Sequence, residues 1–293
     1  MRAPLVWSAA LCAGALALLP AGAHAQETPR RELRYDLRKD FGATFVLFSL
    51  SLAAELAKAD LAPAHCRLCD KSPTAGFNVV DQPVRNALRW KNARLASLLS
   101  DFGLLTLPIG VVSAVFAFAA LEGQPRTGLV DVAIVAEAAG TAMLLTQIAK
   151  FTAARERPFV HALPEGEKAR TQNPIDNNLS FFSGHTAMVF ASATAGGTVA
   201  SMREYTSAPV VWALGLSVAA ASGYLRIAGD RHYFSDVLTG ALVGSAVGVA
   251  LPLLFHRPVI TTKEPGAVSS PLEGNGVPVM PRSYGVMSFS GTF

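Results

Sequence analysis

Long apolar runs separated by short polar stretches dominate the chain, at residues 41–57, 102–121, 129–149, 186–201, 209–228 and 237–255. Several reach the roughly 20 residues that carry a helix across a hydrocarbon core. The pattern predicts an all-α integral membrane bundle of five to six apolar helices. Two segments stand apart. Residues 41–57 contain Glu55 and are closed by Lys58, which predicts an interfacial or half-inserted helix rather than a full span. Residues 186–201 are short and rich in Ala, Ser, Thr and Gly, so their helix is expected inside the bundle and not against lipid. Gly240, Gly244 and Gly248 form two overlapping G-x-x-x-G steps on one face of the last segment, a signal for close helix packing that carries no functional information.

The ends of the chain read differently. Residues 1–25 start Met-Arg, run apolar from Leu5 to Leu19 and finish Ala23-His24-Ala25, the three parts of a secretory signal peptide. Residues 26–101 form a weakly apolar, amphipathic region, 102–256 the helical core, and 257–293 a Gly-, Pro- and Ser-rich tail expected to be flexible. The terminal Phe293 would suit an outer-membrane barrel, but no segment alternates as barrel strands do.

Composition supports the membrane reading: the chain is 51% hydrophobic and 16% charged, against about 25% charged in an average soluble domain. A net charge of +4, dispersed among apolar segments, argues against nucleic acid as a partner. The basic run at residues 30–40 is interleaved with Glu32, Asp36 and Asp40, which makes it a solvated face before it is a headgroup contact. Outside the leader only Cys66 and Cys69 remain, in HCRLCD. A C-x2-C pair serves as a zinc half-site, a redox pair or a short disulfide; His65 alone is thin support for zinc, and in an oxidising compartment a disulfide is the simplest reading.

The polar residues that carry chemistry sit at the helix ends. Lys150 closes the third segment and precedes Arg157-Pro158; Ser183-Gly184-His185 opens the fourth; Arg226 closes the fifth; and His232 and Asp236 open the sixth. If the segments alternate direction, all of these emerge on one face and build one pocket. Phosphoryl transfer spreads negative charge over equatorial oxygens, which fixed cations stabilise. Lys150, Arg157 and Arg226 supply them. Lys150 and Arg157 are seven residues apart and share a face if their helix continues to Pro158. The N–H groups opening the helix at Ser183 and Gly184 are expected to face the anion. His232 is the candidate nucleophile, with Asp236 at i+4 expected to accept its ring N–H. Arg155 reads as a juxtamembrane basic residue, His161 and His256 as loop histidines, and Asp230 and Arg231 as lining the pocket mouth at most. This inventory breaks a phosphate ester with no metal and no cofactor.

KFTAARERP, FFSGH and RIAGDRHYFSD resemble the K-x6-RP, PSGH and SR-x5-H-x3-D motifs of the type 2 phosphatidic acid phosphatase superfamily over roughly residues 41–256. Phe182 and Leu225 depart from that pattern, standing where the family has Pro and Ser. The resemblance implies that Ser183, Gly184 and His185 contact phosphate, that His232 attacks phosphorus to form a phosphohistidine, and that His185 protonates the leaving group and then activates water. The expected activity is metal-independent hydrolysis of a lipid phosphate monoester or pyrophosphate. The alternatives are an enzyme resembling vanadium-dependent haloperoxidases, and a membrane protein that only binds phosphate headgroups. The expected location is a bacterial inner membrane. Counting residues 41–57 as half-inserted leaves five spans and turns the site, with both cysteines, to the periplasm.

Overall fold

The computed structural model describes residues 32–69, 79–121 and 125–259. The expected leader 1–25 and most of the expected tail lie outside them. The order is β1 (Glu32–Leu33), α1 (Leu37–Leu56), α2 (Lys58–Leu61), α3 (Asp81–Leu88), α4 (Ala93–Leu121), α5 (Pro125–Ala153), α6 (Pro158–His161), α7 (Glu165–Lys168), α8 (Gly184–Met202), α9 (Ala208–Ala228), α10 (Phe234–Phe255) and β2 (Pro258–Val259). Four helices are long and apolar enough to cross a membrane, at Ala93–Leu121, Thr127–Ala153, Ala208–Ala228 and Phe234–Phe255. Their outward faces carry Leu98, Ile109, Leu145, Leu214, Leu242 and Leu253, all exposed. Such a surface is stable in lipid.

α8 is the axle of the bundle. Its small side chains let neighbours approach to backbone contact, and thirteen of its residues are buried. The α10 glycines expected to pack do so here. A Cβ on Gly240 would meet the Ser183 carbonyl oxygen at 2.6 Å, one on Gly244 the Ala187 carbonyl, and one on Gly248 the Ala191 carbonyl and the Thr194 hydroxyl. Contacts four residues apart on both helices show that α8 and α10 run in the same direction.

α1 covers the segment expected to be interfacial or half-inserted, and it is not among the four helices long and apolar enough to cross a membrane. Asp40 lies by Glu137, Phe48 packs on Gly140, and Glu55 accepts from Gln147 Nε2 at 3.0 Å. α1 therefore runs lengthwise along α5 and in the same direction. Its polar residues fall near its two ends, where they meet α5 partners instead of lipid. Six long helices result, and Glu32 lies at the opposite end of the bundle from Lys150. There β1 pairs antiparallel with β2, Glu32 opposite Val259 and Leu33 opposite Pro258, so the expected tail begins with an ordered strand. Leu33 joins the core cluster with Ile134, Val135 and Val199. The boundary expected at 102 also shifts, because α4 begins at Ala93.

Candidate active site

At the other end of the bundle, α5, α8, α9 and α10 bring the three motifs together. α5 does not continue to Pro158. Ala154 takes a left-handed φ of 46°, ends the helix, and sends Arg155 into an extended bridge with Leu68. Arg157 caps α6, where Pro158 occupies the first turn. It thus reaches the site from a separate segment, with Nε donating to the Asp176 carbonyl at 2.8 Å, and not from a second turn below Lys150.

His232 precedes α10, in the turn that follows Arg226. Its ring is 2% exposed, and Nδ1 lies 2.8 Å from the Ser180 carbonyl oxygen. A carbonyl only accepts, so Nδ1 carries the proton and Nε2 keeps its lone pair. Burial first, then the charges of Arg157, Arg226 and Lys150, push the His232 pKa well below its ordinary 6.5, which keeps the ring neutral.

Asp236 does not accept the His232 proton as expected. Its Oδ2 is 3.8 Å from Nδ1 and accepts instead from Ser180 Oγ at 2.5 Å and Tyr233 N at 3.1 Å. His232 lies before the helix begins, so the i,i+4 geometry of a regular helix does not apply. Asp236 sits in the first turn of α10, where a carboxylate satisfies an orphan backbone N–H, and Ser180 lies between it and His232, bonded to each.

Ser183 also differs from expectation. Its N–H donates to the Asp236 carbonyl at 3.1 Å and its hydroxyl pairs with Thr186 Oγ1 at 2.9 Å, so neither is directed at an anion. A Cβ on Gly184 would stand 2.9 Å from Thr146 Cγ2 and 3.6 Å from the Lys150 ammonium. Among the described residues no acceptor reaches the buried Nε of Arg226. His185 Nε2 is likewise buried without a hydrogen bond; Asp101 Oδ1 approaches it to 3.2 Å, off the line of one.

Sequence reasoning missed four residues. Asp101 receives Arg226 NH1 at 2.7 Å. Arg155 donates NH1 to Asp236 Oδ1 at 2.5 Å and to Ser235 Oγ at 2.7 Å, and NH2 to Asp81 Oδ2 at 2.8 Å. Burial lowers the Arg155 pKa, but Asp236 and Asp81 raise it by more. Arg85 grips Asp230 through two bonds of 2.6 Å, which holds the turn bearing His232 against α3. None of these contacts has a spacing readable in the chain. The density of charge in 81–101 was the one available signal.

Near this site Cys66 and Cys69 are joined in a disulfide, and the loop containing them is laced to the first motif by Arg67 N on the Ala154 carbonyl at 3.0 Å. A cavity of about 330 Å³ beside Cys69 and Arg155 is lined by none of the motif cations. Among the described residues one trio could hold a metal ion, Asp40, Glu137 and His256. It lies thirteen residues along α5 from Lys150, about 20 Å away. There His256, expected to be a loop histidine, is buried between the Arg34 carbonyl at 3.0 Å and Glu137 at 3.1 Å.

The family model of the PAP2 superfamily matches residues 131–259, which contain all three motifs. The lipid A 1-phosphatase of Porphyromonas gingivalis is 36% identical over 100 residues, 31% of this chain and 22% of that relative, so the chain spans less than a quarter of its length. Among solved structures, the first transmembrane PAP2 type phosphatidylglycerolphosphate phosphatase from Bacillus subtilis matches at a TM-score of 0.41 with 16% identity, over 73% of this chain and 94% of that one.

Proposed function

We propose that the chain belongs to the PAP2 superfamily, whose family model matches residues 131–259, and that it hydrolyses a lipid phosphate through a phosphohistidine on His232. The observation that carries the reading is the buried, neutral His232 ring, whose Nδ1 proton is held by the Ser180 carbonyl at 2.8 Å while Arg157, Arg226 and Lys150 surround it. Nε2 attacks phosphorus, the bond to the leaving oxygen breaks, and His185 passes a proton to that oxygen. His185 then takes a proton from water, which attacks the phosphohistidine and frees phosphate. Lys150, Arg157 and the unpartnered Nε of Arg226 hold the equatorial oxygens throughout. The lipid-facing surface of the helices supports a lipid substrate, since it brings the site to headgroup depth.

The test is covalent labelling trapped by an alkaline detergent quench. Protein in detergent, given phosphatidic acid labelled with ³²P, should carry base-stable, acid-labile label in the wild type and none in His232→Ala, with orthovanadate inhibiting and EDTA leaving turnover intact. Turnover by His232→Ala, or strict dependence on an added divalent ion, would overturn the mechanism.

The site faces an oxidising compartment in this reading, the periplasm of a bacterial inner membrane. The disulfide at the site end supports it.

A further inference from the structure

We propose that Asp101 makes this site selective for phosphate monoesters over diphosphates, an inference that rests on the phosphatase reading and narrows its substrate class. Asp101 belongs to α4, outside every motif. Its carboxylate touches Arg226 NH1 at 2.7 Å and His185 Nε2 at 3.2 Å. Its side chain is 51% exposed, beside an Arg226 side chain only 4% exposed. The carboxylate therefore stands at the mouth of the cradle, next to the general acid.

That is the side from which the leaving group departs. To receive the proton its oxygen comes within hydrogen-bond reach of His185 Nε2, hence within about 6 Å of Asp101 by adding that reach to the 3.2 Å contact. As the His232 nitrogen bonds to phosphorus, the electron pair of the breaking P–O bond leaves with that oxygen, which takes the His185 proton. An alcohol departs neutral. A diphosphate instead expels an alkyl phosphate that stays negatively charged beside Asp101, and like charges at that distance repel in a partly buried site.

Arg226 NH1 is engaged by Asp101 itself and by Ser100 Oγ at 3.3 Å. Arg231 donates Nε to Ser97 Oγ at 2.9 Å and lies over the Phe159 ring. A second phosphate therefore competes with the Asp101 carboxylate for the Arg226 guanidinium.

Dodecyl phosphate and dodecyl diphosphate share one tail and separate the two classes. The wild type should favour the monoester in kcat/KM by about tenfold or more, and inorganic phosphate should compete better than pyrophosphate. Asp101→Asn should narrow the preference to within about threefold by raising hydrolysis of the diphosphate. A wild type that hydrolyses both equally, an unchanged ratio in Asp101→Asn, or equal loss on both substrates would each overturn the proposal; equal loss would assign Asp101 to supporting His185. Should Asp101→Asn not run monodisperse in detergent, Asp101→Ser and the wild-type inhibition ratio decide. If the wild type releases phosphate from neither substrate and carries no phosphohistidine, the phosphatase reading itself has failed.

Discussion

Amidation of Asp236 separates a carboxylate that bonds the nucleophile from one that positions it at a distance. In Asp236→Asn the remaining oxygen can keep Ser180 Oγ and Tyr233 N, and the new NH2 group then faces the Arg155 guanidinium, donor against donor. One charge-assisted bond is lost, about 1.5–3 kcal/mol. Arg155 stays compensated by Asp81 and Ser235, so stability should fall by about 2–3 kcal/mol rather than the larger cost of an orphaned buried charge. Because His232 Nδ1 donates to the Ser180 carbonyl and lies 3.8 Å from Asp236, the ring keeps its tautomer. kcat should therefore fall by about 10- to 100-fold, or 1.4–2.7 kcal/mol in barrier. Amidating a carboxylate that itself holds a catalytic histidine costs about 10⁴-fold. The assay is phosphate release in detergent, with kcat and KM determined separately and detergent unfolding midpoints measured in parallel. A loss of 10⁴-fold in a folded Asp236→Asn protein would mean that Asp236 bonds His232 directly during turnover, and the relay through Ser180 would be wrong.

The neutral His232 gives stability a pH sign: the unfolded chain takes up a proton near the ordinary 6.5 that the folded ring refuses, so folding weakens as pH drops below about 6.5. Wild type should lose more unfolding midpoint between pH 7.5 and 5.5 than His232→Ala does; equal losses would show that His232 titrates normally. Gly244→Ala would drive a methyl into the Ala187 carbonyl and should cost about 1–3 kcal/mol, visible as a lowered midpoint in detergent. Gly110→Ala, with nothing within 4 Å of its new Cβ, should cost nothing, and equal effects would refute the packing argument. Cys66 and Cys69 should react with a membrane-impermeant maleimide on intact cells only after reduction, and labelling that requires a permeabilised inner membrane would place the site in the cytoplasm.

The chain disclosed most where periodicity and spacing carry the physics. Apolar runs located the six long helices, the small residues of 186–201 identified the central one, and the motifs located every cation around His232. What stayed hidden depends on backbone conformation or on distant pairing. Ala154 ends α5 with a left-handed φ that its side chain does not advertise. The acceptor for His232 is a main-chain carbonyl, to which any residue at position 180 contributes alike. Arg155 looked like an ordinary juxtamembrane cation because its partners lie 74 and 81 residues away. Glu55, which marked residues 41–57 as the weakest apolar run, meets Gln147 Nε2 on α5, a pairing 92 residues away that the sequence does not reveal.

The pairing of Glu32 with Val259 turns the described chain into a nearly closed circuit that leaves and returns at one end of the bundle. Compartment reporters fused before residue 32 and after residue 259 are thereby obliged to agree, and to disagree with one inserted between Cys69 and Asp81. Three fusions would form a self-checking set: a discordant pair at the ends would expose a misinserted reporter, not a fact about orientation.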